Sequence, residues 1–273
     1  MPLSPRLIPF ALALTLAGPA DLFAQQGVDV GRPSSLRRLV PADSLEQQSI
    51  QQYGQMLAAA REKNALAPDD HPQLIRLRQI AARITPFTGR FNQRASDWRW
   101  EVNLIGSKQI NAFCMPGGKI AFYTGILDTL ELTDDEVAAI MGHEMAHALR
   151  EHARERIAKS QLTRLGTNIL GSLLFEGRLA GAFDVGGSLL TLKFSRDDET
   201  EADLIGLELS ARAGFDPRAG ISVWQKMGQA TRGGPPQWLS THPSGKSRIA
   251  DMQRVVPQVM PIYEQSRKTA ISR

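Results

Sequence analysis

A chain of 273 residues with 42% hydrophobic and 22% charged side chains is long enough to bury a substantial core, which excludes disorder as its default state. Its net charge of +4 comes from Lys and Arg scattered among acids, with Leu36 to Arg38 as the only basic cluster. That pattern excludes the concentrated basic stripe a nucleic-acid surface needs and supports no more than peripheral contact with acidic envelope surfaces.

Met1 to Arg6 is short and weakly positive, Leu7 to Ala17 is apolar, and Pro19 precedes a small Ala24. This order predicts a secretory signal peptide over 1–24. Its apolar run falls short of the roughly 20 residues that span a bilayer, so an uncleaved anchor is not expected. Cys114 is the single cysteine and closes no internal disulfide; it reads as a small residue buried near a strand. Residues 25–42 hold Pro33, Pro41 and two glycines without a sustained period and are expected to form a flexible leader, with one domain over 43–273.

Two helices are predicted next, the first capped by Asp43 and running to about Leu66, the second entered through Asp69, Asp70 and Pro72. Trp98 to Thr124 contains three short β-rich runs broken by Gly and Pro, read as a small antiparallel sheet, with Met115 to Gly118 turning the last two into a hairpin. The remainder reads as helical: 124–130, a long segment from Asp134 to about Leu174, 197–213, 217–230 and 244–256. Residues 166–192, rich in Gly and Leu, read as core packing with loops, the alternative being a mobile flap over a cleft. Helix, then a little sheet, then helices gives an α+β fold.

Thr133 and Glu136 form a capping box ahead of a helix that is apolar on nearly every side of its middle, which predicts burial. On that helix His143 and His147 are four apart and share a face, with Glu144 beside them. Two imidazoles at this spacing can grip one zinc ion while the intervening carboxylate accepts a proton from water. His152, about 140° from His147 on a continuous helix, reads as surface or outer layer. A catalytic zinc needs a third protein ligand and an open position. Glu199 is the candidate, with Asp203 on the same face to orient a ligand histidine; Glu201 points roughly 200° away and is the rival ligand. His71 and His242, each before a proline, carry no metal signal by themselves.

The set "GHEMAH", "SRDDETEAD", "NAFCMPGGKIAFYTGIL" and "THPSGKSR", within about Trp98 to Met252, resembles the gluzincin metallopeptidase family of HtpX, the CAAX prenyl protease and Oma-type enzymes. It is most similar to exported soluble bacterial members. The resemblance implies a zincin-like α+β fold with an edge strand flanking the active helix and one Zn2+ per chain. It makes His143, His147 and Glu199 the metal ligands and Glu144 the base. His242 and Arg248 would lie near the metal, stabilising the oxyanion or, for His242, filling the fourth zinc position in a latent state. The edge strand corresponds to Ile110 to Met115, where Asn111 and Ala112 would hold an extended substrate.

Two departures from the family pattern bear on substrate: no transmembrane helix is expected in the mature chain, and about twenty residues follow the last motif, too few for a helical-repeat extension. The expected protein is a periplasmic zinc endopeptidase acting on unfolded or misassembled envelope proteins. The rival is a chaperone-like binder of such proteins with a regulatory or latent zinc site.

Overall fold

The computed structural model describes residues 27–165, 189–230, 237–242 and 246–271. The expected signal peptide lies outside the described residues, as do positions 166–188 of the Gly/Leu-rich segment. Among the described residues no helix is long and apolar enough to cross a membrane.

Helix α1 (Ala42–Glu62) buries Leu45, Ser49, Tyr53 and Ala60, a stripe repeating nearly every four residues along one face. Tyr53 pins that face to the sheet: its hydroxyl donates to the Ile120 carbonyl at 2.5 Å and accepts from Asn103 Nδ2 at 3.1 Å. Pro41, not Asp43, occupies the cap position. Asp43 sits in the first turn, where the helix dipole favours it, and pairs with Arg94. Helix α2 (Pro72–Ile84) begins on His71, whose Nδ1 accepts from Gln73 N at 3.2 Å; this histidine is a helix cap.

The sheet comprises β1 (Glu101–Ile105), β2 (Ala112–Met115) and β3 (Lys119–Tyr123) in the order β1-β3-β2. The β2–β3 hairpin is as expected, and its turn needs glycine: Gly117 and Gly118 have φ of 82° and 76°, and a Cβ on Gly118 would meet the Trp100 ring at 2.9 Å. β1, however, runs parallel to β3, from Glu101 opposite Lys119 to Ile105 opposite Tyr123. The sheet is mixed, not antiparallel. The chain reverses once between β1 and β2 and again at the hairpin, so β3 regains the direction of β1 and then pairs with it. β2 is left at an edge.

Helix α3 (Thr124–Leu130) ends on Glu131 in a left-handed conformation. Helix α4 (Asp134–Leu149) starts on the predicted capping box and is buried at every position from Glu136 to Leu149. It packs most extensively against α6 (Arg196–Arg212) and also touches β2, α2 and α7 (Ala219–Ala230).

The long helix expected from Asp134 breaks after Leu149. Glu151 takes φ 59°, and α5 (His152–Leu165) sets off from there. Side chains stabilise the break: Asn92 Nδ2 donates to the Leu149 carbonyl at 3.0 Å, and Glu151 pairs with Arg37 and Arg154. A second capping box, Ser195 with Asp198, starts α6.

Two elements differ from the sequence reading near the end of the described chain. A short helix, α8 (Gln237–Thr241), precedes His242. Helix α9 (Lys246–Ile271) continues through Pro257 and Pro261, where an end at Val256 was predicted. Each proline removes a backbone donor, but buried Val256, Val259 and Ile262 keep that stretch docked on the core.

Residues 27–40 are less free than their Pro and Gly content implies. Val28 and Val40 are buried, Val28 N donates to Glu208 Oε2 at 2.6 Å, and a 3-10 turn at Ser35–Leu39 lies against α5.

Candidate metal centre

Helices α4 and α6 cross backbone to backbone. A Cβ on Gly142 would lie 2.9 Å from the Gly206 carbonyl oxygen, and one on Gly206 would lie 2.8 Å from His143 N. Only paired glycines permit that approach. It places His143 directly at the crossing, with Asp203 and Glu199 on the preceding turns of α6.

Four side chains converge there. His143 Nε2 is 3.1 Å from His147 Nε2 and 3.2 Å from His242 Nδ1. Glu199 Oε1 lies 3.1 Å from His242 Nδ1 and 3.5 Å from His147 Nε2. All four ligand atoms fall within 4.8 Å of one another, and all four residues are buried.

This donor set fits zinc. Zn–N bonds of about 2.0–2.1 Å imply a tetrahedral edge of about 3.3 Å, close to the observed nitrogen separations. Three ring nitrogens and a carboxylate oxygen turned toward one point in a buried space form a donor set that one cation can satisfy together.

The surroundings bear on the charge state of each candidate ligand. Burial holds His147 well below the ordinary imidazole range, reinforced by His143, His152, His242 and Arg248, so it presents the neutral, metal-binding form. Burial alone would raise the Glu199 carboxyl, but His242, His143 and Arg248 hold it below its usual value, ionised. Its Oε2 accepts no well-aligned hydrogen bond, and its compensation is the ionic contact with Arg248 Nη1 at 2.6 Å.

Asp203 Oδ1 lies 3.0 Å from His143 Nδ1, within reach to orient that ring. Asp203 in turn receives Arg248 Nε at 2.6 Å. Arg248 is thus close to the centre, but its guanidinium is engaged by Glu199 and Asp203 and lies over the Trp224 ring, 3.8 Å from the centroid. These contacts place it against two candidate metal-site carboxylates; the resemblance implied oxyanion stabilisation. Glu201 is not in the cluster; it pairs with Arg150 and His152.

Glu144 is buried beside the cluster, with Oε1 accepting from Trp238 Nε1 at 2.6 Å. Trp238 also stacks on His242, 4.8 Å between centroids at 24°. The sequence reading passed over Trp238; its spacing of four from His242 was the available signal. Burial would lower the His242 imidazole, but the Glu144 and Glu199 carboxylates raise it above its ordinary value.

A cleft of about 50 Å³ separates β2 from Leu189, Leu190, Leu192 and Phe194, with Glu144, His147 and His242 at its base. Cys114 lines it, half-buried, its thiol pushed upward by desolvation. The Asn111 carbonyl accepts from Tyr123 N at 3.1 Å, so it faces the hairpin partner. Strand polarity alternates, leaving the main chain of Ala112 and Cys114 toward the open edge. The Ile110 carbonyl, also outward, accepts from Trp238 N at 3.1 Å.

The description Peptidase family M48 matches residues 75–256, from α2 into α9, and so takes in every side chain of the cluster. The chain belongs to peptidase family M48. The M48 chain is 31% identical to the mitochondrial metalloendopeptidase OMA1 of Saccharomyces cerevisiae over 271 residues, 93% of this chain and 76% of that protein. It is 39% identical to the OMA1 of Arabidopsis thaliana over 169 residues, 61% of this chain and 34% of the relative. The Beta-barrel assembly-enhancing protease of Yersinia pestis is 31% identical over 171 residues, 58% of this chain and 35% of the relative. The M48 chain therefore spans about a third of the last two proteins' length.

Proposed function

We propose that the protein is a zinc-dependent endopeptidase that hydrolyses peptide bonds in unfolded or misassembled envelope proteins, acting in the periplasm once its signal peptide is removed. One observation carries the chemistry: two imidazoles of α4 and a carboxylate of α6 converge beside Glu144, at the base of a cleft bordered by a strand edge. His143, His147 and Glu199 would hold the metal. Zinc, when bound, supplies Lewis-acid polarisation of the scissile carbonyl and makes water a competent nucleophile near neutral pH.

The protein's own residues do the rest. Glu144 takes the proton of the attacking water and passes it to the leaving amine. Asp203 fixes the His143 ring, and Arg248 balances the two buried carboxylates behind it. An extended substrate adds to the outer edge of β2 through the main chain of Ala112, a mode that reads backbone more than side chains and suits unfolded polypeptides.

A catalytic metal keeps one open position. Here His242 Nδ1 stands 3.2 Å from His143 Nε2, and Trp238 Nε1 donates to Glu144, which supports reading this conformation as a resting one. The same closure is the specific support for a second reading, a zinc-regulated binder of unfolded envelope proteins. The envelope assignment draws on the N-terminal signal pattern and on the likeness to the beta-barrel assembly-enhancing protease of Yersinia pestis; the OMA1 relatives are mitochondrial.

Casein digestion by the purified mature protein separates the two readings. Digestion that stops with chelator and returns with zinc is the expected result. Zinc-dependent suppression of aggregation without cleavage, by both wild type and His242→Ala, would transfer the assignment to the binder. Recovery of the mature chain in the periplasmic fraction tests location.

A further inference from the structure

His143 and His147 are both candidate ligands, but only His143 has a carboxylate directly behind it. The His147 ring is instead backed by another imidazole: its Nδ1 lies 3.0 Å from His152 Nδ1. His152 Nε2 lies 2.8 Å from Glu201 Oε2, and the other oxygen of Glu201 is held by Arg150. His152 is almost completely buried, at 1% exposure, so the arrangement is an internal one.

We infer that His152 and Glu201 are positioning residues for His147, forming a relay that fixes its tautomer and aims its Nε2 lone pair at the metal. The inference rests on the zinc reading above. With Nε2 of His147 turned to the cluster as a lone pair, the ring proton sits on Nδ1. That N–H donates to His152 Nδ1, which must then be unprotonated. His152 carries its proton on Nε2 and donates it to Glu201. Each step follows from the one before, and the chain ends on a carboxylate that can only accept.

The two ligand histidines are then supported alike. Behind His143 stand Asp203 and Arg248; behind His147 stand His152, Glu201 and Arg150. Phe194 completes the second support by stacking on the His147 ring, 4.0 Å between centroids at 27°. The break in the helix after Leu149 makes this geometry available. On a continuous helix His152 would face away; the left-handed turn at Glu151 brings its ring back to within 5.0 Å of His147, centroid to centroid.

The test measures zinc affinity of the purified mature protein by chelator competition, together with the visible absorption of the cobalt-substituted form. His152→Leu, which neither accepts nor donates, is expected to weaken zinc binding about 10–100-fold and to shift the cobalt bands. His152→Gln keeps an acceptor for His147 and a donor for Glu201, and is expected to restore affinity to within about threefold of wild type. A purely structural role would not show that rescue.

Should His152→Leu fail to fold, Glu201→Gln decides: several-fold weaker binding supports the relay and unchanged binding overturns it. Unchanged affinity and cobalt spectrum in His152→Leu, or a loss that His152→Gln does not restore, overturns it as well. Wild-type protein that takes up no zinc at all would instead sink the metal reading on which the relay depends.

Discussion

Glu144 and His242 make opposite demands on one small space. Glu144→Gln preserves size and can still accept from Trp238, so zinc content is expected to stay at the wild-type level while casein cleavage falls by about 10²–10⁴-fold, the usual contribution of a general base. Metal analysis beside a digestion assay reads both. His242→Ala removes the imidazole from the fourth corner and leaves His143, His147 and Glu199 in place; cleavage is expected to rise. A collapse in its place would assign His242 to the transition state. The candidate metal-binding pair was legible because residues four apart on a helix are neighbours whatever the tertiary fold, and Glu199 with Asp203 followed by the same rule. Trp238 and His152 were not legible in that way. One depends on a five-residue helix, too short to leave a periodic signal, and the other on a backbone turn with positive φ at Glu151, a residue type that seldom adopts it.

At the scale of elements, the crossing of α4 and α6 sets the distances between the candidate ligands. Gly206→Ala would drive a methyl into the His143 backbone, 2.8 Å from N and 3.1 Å from Cα. The helices must then separate, carrying Glu199 and Asp203 away from the imidazoles. Lower zinc affinity together with a lower Tm is expected, and a Gly206→Ala protein binding zinc as tightly as wild type would show the crossing is not what fixes the site. The start of α4 offers a pH-dependent test. Burial alone would raise the Glu136 carboxyl, but Lys226, Ser222 and the Thr133 amide together hold it below its usual value. The unfolded chain therefore binds the extra proton as pH falls, and the stabilisation, complete above about pH 4.5, is lost as pH drops through the folded value. Glu136→Gln is expected to cost about 1 kcal/mol at pH 7, a typical capping contribution, and much less at pH 3. Denaturant titrations at both pH values measure the difference. Both ends of this cap were visible in the sequence, being three residues apart. The direction of β1 was not, since it is set by which strand β3 chooses as its second neighbour.

For the molecule as a whole, the candidate ligands come from parts of the chain far apart in sequence: α4 supplies two, α6 one, and the residue after α8 stands fourth. An ion joining them cross-links the core and binds the folded state alone, so its removal must lower stability by RT ln(1 + [Zn]/Kd), about 2.7 kcal/mol when zinc stands at 100 times its dissociation constant. For a domain of this size that corresponds to a fall in Tm of about 5–10 °C on adding chelator, restored by zinc. The variants divide this effect from catalysis. Glu144→Gln is expected to keep the full zinc-dependent shift, because that carboxylate holds no metal, whereas His143→Ala is expected to lose it. A shift of wild-type size surviving in His143→Ala would mean that the stabilising ion sits elsewhere in the chain, and that the convergence of α4 and α6 serves packing alone.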